Sequence, residues 1–240
     1  MKIAIDGPAG SGKSTVGGAL AQRLGYLFFD TGVMYRVVTL AALERSVPLA
    51  NEAAVTELAR QIKIEVTQPT HDDGRQYSVW LDGRDVTWDI RSKPVDAGVS
   101  IPSAYAEVRQ EMVKQQRQIA ECGDIVMVGR DIGTVVLPNA DLKIYLTASA
   151  EERARRRYTE LTAREVEANY EDILAGIRQR DDMDSSRKTS PLKPAADAVI
   201  LDCTSKGIDE TLEAIVCLVN GSLPNPLPSE REGEQSLPPA

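Results

Sequence analysis

Blocks of consecutive apolar residues alternate along this chain with longer stretches in which apolar side chains return every three or four positions, the rhythm of strand followed by helix. Ile3, Ala4 and Ile5 form the first block, and Val16, Ala19, Leu20 and Leu24 follow at helical spacing until Gly25, a helix stop. Residues 26–29 make a second strand that ends at Asp30, Thr31 and Gly32, and the next helix carries Met34, Val38, Ala41 and Ala42. A third helical stretch holds Val55, Leu58 and Ile62. The period then shortens to two: Ile62, Ile64 and Val66 alternate with polar neighbours, and Tyr77, Val79 and Leu81 repeat the pattern beyond a turn region at 69–74. Residues 62–90 therefore read as an antiparallel hairpin or small sheet.

A long helix through Tyr105, Val108, Met112 and Ile119 leads to a buried-type strand at 125–128, which runs into Gly129, Arg130 and Asp131. Another strand covers 142–146. Ser149 and Glu152 have the spacing of a capping box, so the arginine-rich segment Arg153, Arg155, Arg156, Arg157 opens a helix. Val166, Tyr170, Ile173 and Ile177 mark a further helix, whose apolar stripe extrapolates to Arg180 and Asp184 and turns both inward. A strand at 199–201 and a helix through Ile208, Leu212, Ile215 and Val219 end the pattern. From about Gly221 the chain is rich in Pro, Ser and Glu without a period and reads as a disordered tail.

This alternation predicts an α/β protein with a parallel sheet flanked by helices, the antiparallel segment being inserted as a subdomain. Ligands of such sheets bind beyond the strand C-termini. Asp6, Asp30, Arg130 with Asp131, and Asp202 all fall on that one rim.

Between the first strand and the first helix stands G-x-x-x-x-G-K-S, a phosphate-binding loop in the context its mechanism needs. Its residues Gly7, Pro8, Ala9, Gly10, Ser11, Gly12, Lys13, Ser14 and the following Thr15 are the expected triphosphate site. The glycines let backbone N–H groups converge on phosphate oxygens, Lys13 reaches the β and γ phosphates, and Ser14 can ligate Mg²⁺.

At 240 residues and 42% hydrophobic side chains, the chain forms one domain or a core with insertions. Its formal net charge of −8 argues against non-specific nucleic-acid binding, and arginines gathered in a few short segments suit small phosphorylated ligands. Cys122, Cys203 and Cys217 lack paired spacing and the single His71 sits in a polar loop, so neither a metal cluster nor a disulfide framework is indicated. No apolar run approaches the ~20 residues of a membrane span and no signal-peptide core is present, which makes a reducing cytoplasm the expected compartment.

Taken with the loop, Asp30-Thr31-Gly32 with Tyr35-Arg36, Gly129-Arg130-Asp131 with Gly133-Thr134, and Arg180-Asp181-Asp182 with Asp184 and Arg187 resemble the bacterial cytidylate kinases over roughly residues 1–220. These are nucleoside monophosphate (NMP) kinases of the P-loop class. The resemblance implies a P-loop NTPase three-layer fold with a parallel β-sheet core. It also implies an NMP-binding subdomain at about 31–100 with an antiparallel insert at about 62–100, and a helical lid at about 150–166. The activity it implies is transfer of the γ-phosphate of ATP, with Mg²⁺, to CMP and dCMP by a monomer.

Lys13, Arg130, Arg153, Arg157 and Arg180 are then the catalytic groups, and Arg153 and Arg157 approach the phosphates as the lid closes. Thr31, Tyr35, Arg36, Ser100, Arg109, Arg130, Asp131, Arg180, Asp184 and Arg187 surround CMP by the same resemblance. Cytosine presents an N4 donor beside N3 and O2 acceptors, which a carboxylate at Asp131 and donors at Arg109 and Ser100 would complement. The acceptor is already anionic, so no general base is required. Position 31 is Thr where the family often has Ser, which keeps the hydroxyl and adds a methyl. The loop alone leaves open a kinase for UMP, AMP or shikimate. A hydrolytic switch or motor ranks lower, because no N-K-x-D motif and no repeated ATPase module is present.

Overall fold

The computed structural model describes residues 1–163, 165–187 and 190–221, so the expected tail lies, apart from Gly221, outside the described residues. In chain order come β1 (Lys2–Asp6), α1 (Lys13–Leu24), β2 (Leu27–Asp30), α2 (Gly32–Glu44), α3 (Glu52–Gln61), β3 (Ile64–Thr67), β4 (Ser78–Leu81) and β5 (Arg84–Asp85). After a 3₁₀ turn at Asp89–Arg91 follow α4 (Lys93–Gly98), α5 (Ser100–Ala104), α6 (Ala106–Glu121) and β6 (Ile125–Gly129). A π-type turn at Ile132–Val136 precedes β7 (Leu142–Thr147), α7 (Ala150–Ala163), α8 (Tyr170–Ser186), β8 (Val199–Asp202) and α9 (Ile208–Val219).

Two sheets are built. The larger has five strands in the order β2-β6-β1-β7-β8, every pairing parallel. Successive residues Ile3, Ala4 and Ile5 of its central strand are all 0% exposed, which requires cover on both faces. α1 packs on α9 and on the β2–β6 side of the sheet, whereas α3 packs on α2 and α6. The smaller sheet, β3-β4-β5, is antiparallel, with Val66 facing Val79 and Ile64 facing Leu81. Parallel strands all end on one rim, so Asp6, Asp30, Gly129 and Thr147 finish side by side.

The structure departs from the sequence pattern in three places. The antiparallel insert ends at Asp85, and helical turns occupy residues 89–104, where Pro94 and Pro102 interrupt the periodicity of very short segments. Val166 is exposed and precedes α8, which begins behind Asn169, whose Oδ1 accepts from the N–H groups of Glu171 and Asp172. The capping box is half formed: Ser149 Oγ accepts from Glu152 N at 3.2 Å, while the Glu152 carboxylate turns to Arg155 and Arg156.

Candidate active site

β1 ends where the chain must pass under the start of α1. A Cβ at Gly7 would lie 2.0 Å from the Leu146 carbonyl oxygen, and Gly12 caps α1 at φ 94°, so neither position takes a side chain without moving backbone. The loop thus wraps the positive end of the α1 dipole. Pro8 and Ser11 are buried, Ala9 is half-buried, and Gly10, Ser14 and Thr15 are exposed. Lys13, 6% exposed, folds across its own loop and donates to the Pro8 carbonyl at 2.6 Å. Burial, reinforced by the nearby Arg130 charge, pushes its ammonium well below the usual lysine range against the pull of Asp30, Asp6 and Asp184. Ser14 Oγ donates to Asp30 Oδ2 at 2.7 Å, and Asp30 Oδ1 accepts from Gly32 N at 3.0 Å.

Facing this loop across the rim is the turn after β6. Asp131 is 6% exposed and accepts at Oδ2 from Arg109 Nη2 at 2.8 Å. The Arg109 guanidinium also lies over the Tyr35 ring, 5.6 Å from its centroid. Tyr35 is buried beneath it, and burial pushes its hydroxyl up to about 12. Arg109 Nε is buried without a hydrogen-bond partner among the described residues, a donor held ready for an acceptor. Thr31 Oγ1 donates to the Val128 carbonyl at 3.1 Å, and a Cβ at Gly129 would stand 2.7 Å from Thr31 Oγ1.

Arg130 Nε donates to Asp184 Oδ2 at 2.9 Å, and Arg187 pairs with the other oxygen of Asp184, itself 1% exposed. One buried carboxylate therefore aims two arginines. Arg36 donates to the Ile90 carbonyl at 3.1 Å and to Asp96 at 2.5 Å, which ties α2 to the start of α4. Ser100, the first residue of α5, is exposed; its carbonyl accepts from Ser103 Oγ, while the Ser103 carbonyl lies 3.5 Å from Arg109 Nη1.

Two expectations need correction. The inward stripe of α8 was extrapolated from Val166, which is outside the helix, and only Asp184 of the extrapolated pair is buried. Arg180 is exposed as a residue, yet desolvation of its guanidinium, and after that the charges of Arg130, Arg187 and Arg36, lower its proton affinity against the pull of Asp184. Arg153 and Arg157 stand in different surroundings in this structure. Arg153 is 4% exposed, donates to the Ala9 carbonyl at 3.1 Å and holds Asp181 through two nitrogens at 3.0 and 2.6 Å. Arg157, one turn further from the loop, faces solvent and pairs with Glu160. Arg156 instead stands by the loop: its Nη1 would be 3.9 Å from a Cβ at Gly12, and its Nη2 donates to the Cys203 carbonyl at 2.6 Å.

Sequence reasoning passed over Asp6 as more than a rim residue, as well as Asp181 and Arg156. Asp6 is 3% exposed, and its two oxygens accept from Ile132 N and Gly133 N, both at 2.7 Å. Burial pushes its carboxyl up to about 6, a rise that those N–H groups and Lys13 oppose and Asp131 assists. Asp202, at the sheet edge, spends its carboxylate on the N–H and hydroxyl of Thr204. A cavity of ≈ 820 Å³ between β3, α6 and the first residues of β2 and β6 lies at the other end of the strands, away from these groups.

The family model described as Cytidylate kinase matches residues 3–221. A cytidylate kinase of Chloroflexus aggregans is 56% identical over 199 residues, covering 83% of this chain and 85% of that protein. One of Bacillus licheniformis is 50% identical over 218 residues, covering 91% and 95%. Among solved structures, an uncharacterized protein from Eubacterium ventriosum aligns over 92% of this chain and 98% of its own with a TM-score of 0.52 at 11% identity, a likeness of fold.

Proposed function

The chain belongs to the cytidylate kinase family, and from that premise we infer how its rim residues divide the transfer of phosphate from ATP to CMP. The loop 7–15 holds the triphosphate, and the groups on the β6 side hold the acceptor. A CMP phosphate oxygen attacks the γ-phosphorus in line; the new P–O bond forms as the bond to the β-bridging oxygen breaks, and ADP leaves. The acceptor oxygen is already anionic, so the protein's task is alignment and charge neutralisation across a loose transition state. Lys13 meets the β and γ oxygens. Arg130 and Arg187, aimed by Asp184, and Arg180 and Arg36 beside them converge on the acceptor phosphate. Arg153 fixes the loop from behind by bonding the Ala9 carbonyl.

The observation that carries acceptor choice is the buried Arg109–Asp131 pair. The Asp131 side chain accepts from the cytosine N4 amino group, and Arg109 supplies donors for N3 and O2; uracil would set its O4 acceptor against the carboxylate. A site left with an unpaired buried charge rejects strongly. Asp131 and Arg109 read the base rather than the sugar, so this pair by itself does not discriminate against dCMP.

Among the described residues no group of three or more His, Cys, Asp or Glu could hold a metal unaided. Mg²⁺ keeps several waters and rides on substrate phosphates with one or two protein oxygens. Ser14 Oγ with Asp30 behind it provides such a place. Bound there with ATP, Mg²⁺ would supply charge neutralisation at the phosphates.

The test is an ATP-coupled assay across acceptors. CMP is expected to turn over with a kcat/KM at least tenfold above those of UMP and AMP, the discrimination an unpaired polar group gives. Faster turnover of UMP or AMP overturns the assignment of Asp131.

A further inference from the structure

Asp131 occupies the N-cap position of the π-type turn Ile132–Val136, yet its side chain makes no capping bond to that turn. Aspartate at an N-cap ordinarily accepts from the first free N–H groups of its own helix, which otherwise lack partners. Here the cap comes from elsewhere. Asp6, on the central strand and 126 residues earlier, accepts from Ile132 N and Gly133 N at 2.7 Å with one oxygen each. Both bonds have the length of charge-assisted pairs. The approach is tight: a Cβ at Gly133 would stand 3.3 Å from Asp6 Oδ2 and 3.2 Å from Lys143 Cδ.

We propose that Asp6 is a positioning residue that caps this turn in trans and thereby frees the Asp131 carboxylate to face Arg109 and the acceptor base. The proposal rests on Asp131 reading cytosine. Its consequence is mechanical. Asp6 is the residue immediately before Gly7, so the strand end that begins the donor loop also holds the turn that carries the acceptor-reading group. Without the cap, the two orphaned N–H groups would compete with Arg109 for the Asp131 side chain at the N-cap and draw it away from its partner. The π-type turn supports this, since its i→i+5 bonds, Val136 N to the Asp131 carbonyl at 3.1 Å and Leu137 N to the Ile132 carbonyl at 2.7 Å, hold a backbone shape seldom kept without cause.

The experiment is a double-mutant cycle with Asp6→Asn and Asp131→Asn in the full chain, reading KM for CMP and for ATP, kcat, and the CMP/UMP preference. Asp6→Asn presents one acceptor and one clashing amide to the two N–H groups. It is expected to raise KM for CMP at least tenfold, change KM for ATP less than threefold, and erode the CMP/UMP preference in the same direction as Asp131→Asn. In the Asp131→Asn background its effect on CMP should shrink to less than threefold, because the residue it positions is gone. Equal losses for both nucleotides, an unchanged CMP/UMP ratio, or additive effects overturn the proposal and leave Asp6 a purely structural residue. An Asp131→Asn enzyme with undiminished CMP preference would instead sink the base-reading role itself. Should Asp6→Asn fail to fold, Asp6→Glu, which keeps the charge and pushes the turn outward by one methylene, is read by the same criteria.

Discussion

Lys13 shows how a single side chain is kept ready for a ligand. Its ammonium is removed from water, bonded to one loop carbonyl at 2.6 Å and only distantly to Ser11 Oγ at 3.4 Å. Its three donors are therefore not all used, and its charge is poorly compensated. A triphosphate supplies the missing acceptors and the missing negative charge together, so the interaction grows as charge builds on the transferring group. Truncation should leave the fold intact, since the Lys13 side chain bonds only within its own loop. Lys13→Ala is expected to keep its melting temperature within a few degrees while kcat falls on the order of 10²–10³-fold, the cost of removing one preorganised electrostatic group. Steady-state kinetics alongside a thermal melt check this, and an unchanged kcat removes Lys13 from the reaction. Lys13→Arg offers no rescue, because a planar fork cannot occupy the space of a compact ammonium in a buried loop.

The antiparallel insert buries Ile64, Val66, Val79 and Leu81 in the core, and none of the residues assigned to the acceptor lies on its strands. β3, β4 and β5 make a sheet of short strands, and what organises it is Arg75, whose side chain is 6% exposed. Arg75 donates to both oxygens of Asp73 at 2.8 and 2.6 Å, to Asp85 at 2.6 Å, and to Ser78 at 3.1 Å. These bonds hold the Asp73 carboxyl well below the usual range and that of Asp85 at about 2. The adjoining Gln76 meets Gly18 of α1, and the Tyr77 ring lies 5.6 Å from Phe28 of β2, so this loop also fastens the insert to the core. Arg75→Leu should loosen the insert without unfolding the five-stranded sheet: protease cleavage at 68–76 at least tenfold faster, KM for CMP raised severalfold, KM for ATP little altered. Unchanged cleavage and unchanged KM for CMP would show that the sheet stands without it.

That same element marks where the sequence stops being legible. Period and burial coincide for β1, β2, β6 and β7 and for α1, α2, α3 and α6, because a local pattern reports which face a segment hides. In α9, by contrast, Ile208 of the expected stripe is exposed and only Ile215 of it is buried. A pattern along the chain carries no record of which strand lies beside which, so the β2-β6-β1-β7-β8 order was unreadable. The short helices at 89–104 span too few turns to show a period. At the site, the loop 7–15 was legible because its chemistry is contiguous. The Asp6 cap and the Asp181 clamp on Arg153 join residues 126 and 28 positions apart, respectively, the first formed only once β1 and β6 are paired and the second only once α8 packs on α7.

Seen as a whole, the molecule sets its net charge against its rim. The chain carries a formal charge of −8, which by itself repels a nucleotide phosphate. The rim nevertheless gathers Lys13, Arg36, Arg130, Arg180 and Arg187, and desolvation together with the charges of Arg130, Arg187 and Arg36 lowers the proton affinity of Arg180. The field that matters to an arriving substrate is the one at the mouth it must enter, because charges more than a Debye length away, about 8 Å at physiological salt, are largely screened. The two descriptions make opposite predictions. If net charge governed encounter, added salt would relieve repulsion and raise kcat/KM for CMP. If the clustered cations govern it, salt weakens attraction and lowers kcat/KM. The second outcome is expected: raising monovalent salt from about 0.02 to about 0.2 M should reduce kcat/KM for CMP severalfold, carried mostly by KM. Arg180→Gln, which removes one exposed member of the cluster, should flatten that slope, whereas neutralising the exposed Arg23 on α1, paired with Glu213 away from the rim, should leave it unchanged. A rate that rises with salt would mean that the acidic surface as a whole, rather than the rim, sets the encounter.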